Sequence, residues 1–356
     1  MSAIPIIDAD IHPLIDHLAI GKRLPEPYRT RYLAGNFAFN GTAYWNPNGV
    51  NRRDAVTEDG KPIAADPKLL AKHHLDEHHM AFGVLNPGAS LGFGISAEPD
   101  PAARNCSTLN DTLIEDWLAA DDRYLGSLSV ASCDPLTAAA EIRRLGSHPR
   151  MVQVYMTSAT RFGLGHKFYW PIYEAAAEFD LPVAIHPGME GAGISNPPSG
   201  AGPPASYFEW HTALAANYIG QLCSLIGGGV FQQFPKLRFI MIEGGVSWLP
   251  PILWRMDKNW KALRQTVPFL DRLPSEIAAD HIRLTTQPIE EPPAREQLHQ
   301  MLAMFPADRM LMFSTDYPHW DGDAPDFTAR HLPEYLRENV LCKTACETYH
   351  MELPHA

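Results

Sequence analysis

The sequence predicts an α/β fold, a (β/α)8 TIM barrel with long loop insertions over the barrel mouth. Three observations predict it. Eight short β-rich runs alternate with longer helical patterns. Several of those runs end in an ionisable residue, where barrel enzymes keep their chemistry. The length of 356 residues, 45% hydrophobic and 20% charged, suits one large core.

The elements follow in order. A strand is expected over Ile4–His12, within IPIIDADIHP, and helical spacing over Pro67–Met80 leads to a strand at Phe82–Asn86. The next pairs are Leu109–Ala119 with Leu125–Ser132, Leu136–Leu145 with Met151–Met156, and Pro171–Phe179 with Val183–His186. The last are Tyr207–Ile226 with Leu237–Glu243, Pro250–Leu263 with Ile282–Thr286, and Ala294–Met304 with Met310–Asp316. Such alternation implies parallel strands, which need crossover connections. Residues 26 to 66, which contain FNGTAYWNPNG, and residues 187 to 206, PGMEGAGISNPPSGAGPPAS, read as loop insertions. Loops of this length in a compact domain usually serve function. With no internal repeat and no linker, residues 1–356 read as one barrel domain.

Composition narrows the partners. A net charge of -12 argues against nucleic acid or an anionic membrane as a partner. No apolar stretch approaches the roughly 20 residues of a membrane span, and no signal peptide is evident. The five scattered cysteines read as reduced, cytoplasmic thiols. Cys342 and Cys346, four apart on a helix, read as packing. A homodimer or higher homo-oligomer is expected. The run HHLDEHH, residues 73 to 79, reads as a solvated or subunit-contacting helix face rather than a second metal site.

The first strand carries the strongest chemical signal. Alternation is expected to point Asp8, Asp10 and His12 the same way, into the barrel. Burying two carboxylates side by side is costly unless a cation is present. Asp10 and His12 are therefore candidate ligands, with Asp8 deeper and structural. His186 ends the fifth strand, Glu243 the sixth and Asp316 the eighth. Asp10, His12, His186 and Asp316 form a mixed nitrogen and oxygen set that suits zinc, with manganese as the alternative. Glu243 is a candidate proton carrier or the partner of a cation such as Arg255. His211, in SYFEWHTALAANYIG, is a candidate for proton transfer. His319, Asn86, Arg161 and Trp210 are candidate substrate contacts; Trp170 and Trp248 read as core or rim packing.

DADIHP, PVAIHPG, LRFIMIEGG and MFSTDYPH, in this order, resemble the strand-end motifs of the amidohydrolase-related family. That family of metal-dependent barrels includes aminocarboxymuconate-semialdehyde decarboxylase and aromatic-acid decarboxylases. The resemblance runs from Ile6 to about His350. It implies that Asp10, His12 and His186 bind the metal, and that Asp316 is a ligand or general base. Asp10 stands where members usually have the first His of His-x-His, an exchange that some decarboxylases of the family share. Glu243 stands where many members place a catalytic His.

The main functional expectation is hydrolysis of a small aromatic or apolar carbonyl substrate by a metal-activated water. The alternative is non-oxidative decarboxylation of an aromatic or unsaturated acid, for which Arg161 is the candidate carboxylate grip. A metal-binding barrel without activity is the least favoured reading.

Overall fold

The computed structural model describes residues 4–34 and 50–352. Eight parallel strands, β1 (Ile6–Ile11), β2 (Met80–Leu85), β3 (Tyr124–Ser129), β4 (Met151–Thr157), β5 (Val183–His186), β6 (Phe239–Met241), β7 (Ile282–Thr285) and β8 (Leu311–Met312), pair in sequence order. The segment after β8 closes the ring onto β1: Ala9 N donates to Phe313 O at 2.9 Å and Asp316 N to Asp10 O at 3.1 Å. Helices fill the crossovers, giving the (β/α)8 barrel the sequence predicts. Among the described residues, two helices open on Pro behind an Asp cap. Asp66 accepts from Lys68 N and Leu69 N, and Asp134 from Leu136 N and Thr137 N. Pro suits the first helical position because its missing N–H would have no partner there.

One irregularity in β1 sets the site. The pairing runs Ile7↔Phe82, Asp8↔Gly83, then Ile11↔Leu85. Ala9 and Asp10 therefore lie opposite Val84 alone, a β-bulge that reverses the alternation beyond it. Ile7 and Ala9 pack in the interior cluster with Val84, Tyr155 and Met312, while Ile11 packs in the cluster that includes Leu75 and the helices. Asp8 thus faces the helical layer, and Asp10 and His12 face the barrel mouth. The expectation that all three share one face is corrected by this extra residue.

Asp8 is structural, as expected. Its carboxylate accepts from Asp10 N (3.1 Å), Thr315 N (3.0 Å), Thr315 Oγ1 (2.5 Å) and His74 Nε2 (2.9 Å). His74, read from sequence as part of a solvated face, is buried and stacks 4.4 Å from the Tyr317 ring. His73 and His79 remain exposed.

A second bulge, between Gly126↔Met151 and Ser127↔Gln153, turns Gln153 inward. Its Oε1 accepts from Tyr349 OH at 3.0 Å, so the C-terminal helix reaches the barrel interior. Cys342 and Cys346 pack in that same cluster with Sγ atoms 3.8 Å apart, and all five cysteines are free.

β6 and β8 are shorter than expected because side-chain hydroxyls replace ladder bonds near their ends. Thr285 Oγ1 accepts from Glu243 N at 3.0 Å, and Thr286 Oγ1 from Ser314 N at 3.1 Å. The helix expected over Tyr207–Ile226 divides into Tyr207–Thr212 and Leu214–Gly227. Thr212 Oγ1 donates back to Phe208 O at 2.6 Å, and the chain turns at Ala213.

Within the insertion at 26 to 66, Tyr28–Leu33 is helical rather than loop, and FNGTAYWNPNG lies outside the described residues. Asn51 bridges His319, and Trp320 N donates to Val50 O at 2.9 Å, which lays this insertion along the rim. In the second insertion Gly193 has φ +56, and a Cβ there would stand 2.1 Å from Ile95 O. Glycine is required at that crossing.

Removing one partner of a buried pair leaves the other uncompensated. His74→Ala is expected to lower unfolding stability by about 3 kcal/mol, measured by urea denaturation. An unchanged midpoint would remove the Asp8–His74 pair from the scaffold.

Candidate metal centre and its cavity

β1 delivers Asp10 and, one residue past its end, His12; the end of β5 delivers His186, and the turn after β8 delivers Asp316. All four are buried, and one ligand atom from each lies within 4.8 Å of the others. His12 Nε2 stands 2.8 Å from Asp316 Oδ1 and 3.3 Å from Asp10 Oδ1; His186 Nε2 stands 3.6 Å from Asp10 Oδ2.

Their outer sides are held firmly. His12 Nδ1 donates to Asn86 O at 2.8 Å, and His186 Nδ1 donates to Pro187 O at 2.7 Å. Those bonds leave each Nε2 lone pair aimed inward, the arrangement that suits a metal ligand. Asn86 Nδ2 donates to Asp10 Oδ1 at 2.7 Å and to Ala9 O at 3.1 Å. Its Oδ1 accepts from Ser127 Oγ (2.5 Å) and Gln153 Nε2 (2.9 Å). All of its amide capacity is spent, so Asn86 positions Asp10 instead of contacting substrate as the sequence suggested.

The donor set fits a divalent cation. Asp10 Oδ2, His12 Nε2, His186 Nε2 and both Asp316 carboxylate oxygens are buried without a partner in hydrogen-bonding geometry. Buried polar atoms are rarely left so, and one such atom from each of four residues at one point is the pattern a cation satisfies. The charges are mutually dependent. Burial works against ionised Asp10, but His12 and His186 outweigh it and hold its pKa far below the usual range. Burial also works against His186 as a cation, yet Glu243 and Asp10 hold its pKa up at about 10.

A cavity of about 320 Å³ opens beside the centre, lined by Leu91, Met189, Tyr207 and Trp210 and by His12, His186, Glu243, His319 and Asp321. That is the small end of the range for ligand sites. Glu243 and Asp316 adopt φ of 58° and 59°, a left-handed conformation that non-glycine residues seldom adopt outside functional sites. Glu243 Oε2 lies 3.0 Å from His186 Nε2, and its turn is tied by Trp248 Nε1 donating to Gly244 O at 2.9 Å. His211 Nε2 stands 3.7 Å from Glu243 Oε1 and 3.3 Å from Asp321 Oδ2. His319 Nδ1 stands 2.7 Å from Asp316 Oδ1, and its ring stacks on His12 at 4.3 Å.

The structure brings together Asp10, His12, His186, Asp316, Glu243, His211, His319 and Trp210. It places Arg161 elsewhere: exposed, with its guanidinium 5.2 Å from the Phe162 ring centroid. Trp170 packs against the core and Trp248 backs the Glu243 turn. Asp321 was missed, although it lies five residues beyond Asp316 in STDYPHWDGD. Glu190 was missed too; it is buried, accepts from Ser158 Oγ at 2.6 Å and pins the second insertion.

Residues 7–351 match the amidohydrolase family. Gamma-resorcylate decarboxylase of Rhodococcus jostii is 26% identical over 263 residues, 68% of this chain and 75% of that protein. The 2-amino-3-carboxymuconate-6-semialdehyde decarboxylase of Dictyostelium discoideum is 26% identical over 261 residues, 72% of this chain and 69% of its own length. Among solved structures, 5-carboxyvanillate decarboxylase from Novosphingobium aromaticivorans, with bound manganese and 3-methoxy-4-hydroxy-5-nitrobenzoic acid, superposes with a TM-score of 0.70. That match is 19% identical and covers 98% of each chain, a likeness of fold. Among the described residues, no helix is long and apolar enough to cross a membrane.

Burial of the His211 imidazole works to lower its pKa, but Asp321 and Glu243 outweigh burial and hold it at about 10. A raised folded pKa contributes stability that is complete below the unfolded value near 6.5 and lost as pH rises through about 10. Stability is therefore expected to fall between those pH values, and His211→Asn to flatten that fall, in urea titrations across pH. An unchanged pH profile in the variant would show that His211 does not carry the effect.

Proposed function

The chain belongs to the amidohydrolase family, and on that footing we propose that it is a metal-dependent, non-oxidative carboxy-lyase acting on a small aromatic or unsaturated carboxylic acid. The observation that carries this reading is the set of unpartnered donor atoms beside an apolar, aromatic-walled cavity. The relatives support the choice of reaction. Those similar over two thirds of the chain are named as decarboxylases, so the main expectation from sequence, hydrolysis, gives way to its alternative.

Asp10, His12, His186 and Asp316 hold the cation. When bound, it would supply the positive charge that neutralises a substrate carboxylate at this point. Zinc and manganese both suit two carboxylates with two imidazoles. Asn86 keeps Asp10 in place through its hydrogen bond, and the His319 imidazole lies beside Asp316. Trp210, Tyr207, Leu91 and Met189 take the substrate's flat apolar body. The reacting carbon gains a proton as its bond to the carboxylate carbon breaks and CO2 leaves. His211 and Glu243 hold that proton beside the cavity. Where many members of the family place a strand-six histidine, Glu243 stands here, and an imidazole reaches the same wall from the helix after β5.

Three outcomes test this reading. Purified protein is expected to carry about one zinc or manganese ion per chain, and chelation to abolish CO2 release from hydroxybenzoates until metal is restored. His186→Ala is expected to lose metal and activity together; full metal content in that variant removes His186 from the ligand set. Glu243→Gln is expected to keep its metal while kcat falls about 100-fold or more, the usual contribution of a positioned acid or base. Unchanged kcat would exclude Glu243 from proton transfer.

A further inference from the structure

We infer that the cavity selects substrates carrying a single carboxylate on an otherwise uncharged body, and rejects those bearing a second anionic group. This inference rests on the decarboxylase reading and narrows it to a substrate class.

The argument is one of charge. Among the described residues no lysine or arginine lines the cavity. The undescribed stretch 35–49, GNFAFNGTAYWNPNG, contains neither residue, and the undescribed ends at 1–3 and 353–356 contain neither as well. Two arginines near the rim in sequence have partners away from the cavity. Arg161 lies over Phe162, and Arg52 is paired with Asp54 at 2.7 Å.

The histidines that reach the site all face carboxylates already. His12 and His319 face Asp316, His186 faces Glu243 and Asp10, and His211 faces Glu243 and Asp321. A divalent cation held by Asp10 and Asp316 would bring that group to neutrality and would supply the positive charge for one substrate carboxylate. What remains on the wall is Glu243 and Asp321, two carboxylates, facing Val50, Leu91, Met189 and Trp210. A second anionic group on the substrate would meet like charge, apolar side chains or neutral donors such as Tyr207 and Trp210, and no lysine or arginine among the described lining residues. Juxtaposed like charges cost several kcal/mol, and an unpaired charge in such a pocket is penalised further.

The test uses metal-loaded enzyme and a matched pair of unreactive ligands, with a nitro group standing in for the reacting carboxylate. One is 4-hydroxy-3-methoxy-5-nitrobenzoic acid; the other is 2-methoxy-6-nitrophenol, the same ring without the second carboxylate. Titration calorimetry is expected to show the phenol binding about 100-fold more tightly or better, matching a like-charge penalty of several kcal/mol. Equal affinity, or tighter binding of the benzoic acid, overturns the inference and would indicate a cation supplied by another copy of the chain.

Val50→Arg places a cation at the exposed rim and is expected to narrow the ratio at least about tenfold. A ratio unmoved in a folded, metal-loaded variant counts against the charge argument. CO2 release separates the two levels of the reading. Release from 2,6-dihydroxybenzoate but not from a ring dicarboxylate supports both. Comparable release from each sinks the selectivity and leaves the decarboxylase. No release from any acid sinks the decarboxylase, while the affinity ratio still decides the charge selectivity of the cavity.

Discussion

Asp8 and Asp10 stand two residues apart on one strand, and both are fully buried. Two adjacent carboxylates on a single face would repel at short range in a medium that screens them poorly. The extra residue opposite Val84 separates them. Asp8 turns to the helices, where His74 and Thr315 receive it, and Asp10 turns to the mouth, where His12 and His186 do. The rest of the centre depends on that division. Thr315 N is tied to the Asp8 carboxylate, and the next residue's N–H is tied to the Asp10 backbone carbonyl, so these two residues of β1 together place Asp316.

The centre is rigid because its supports are saturated. Asn86 spends every amide atom on Asp10, Ala9, Ser127 and Gln153, and Gln153 in turn receives Tyr349 from the C-terminal helix. A continuous polar chain thus joins Asp10 to the last helix through an otherwise apolar interior. Networks of this kind favour a single arrangement, since each half-satisfied member would cost free energy. Strain is tolerated at the same place. Glu243 and Asp316 keep left-handed backbones at a cost of order 1–3 kcal/mol each, held by Thr285, Trp248 and the β1 strand.

Beyond the four donors, electrostatics divides the site into two parts. The inner part balances carboxylates against imidazoles and is built for one concentrated positive charge. The outer part, with His211 between Glu243 and Asp321, keeps a proton beside an apolar wall, and among the described residues it presents no lysine or arginine to an incoming anion. One side chain of this outer part lies outside all four strand-end motifs. Asp321 follows the eighth-strand signature by five residues, and its value lies in what it does to a histidine from another element.

The sequence by itself determined the eight-strand order, the strand-end positions of His186, Glu243 and Asp316, and the pairing of Asp10 with His12 in one centre. These are legible because period-two apolar runs and the ionisable residues that end them are local features. Only the tertiary structure decided which way Asp8 points, since a bulge depends on the neighbouring strand and leaves no mark in one strand's own pattern. It also decided that His74 is buried, that Asn86 is consumed as a support and that Arg161 lies outside the cavity. It was tertiary structure again that brought His211, Asp321 and Glu243 together. Those three come from positions far apart in the chain, and their meeting is set by how a broken helix and a rim loop pack, which no local spacing encodes.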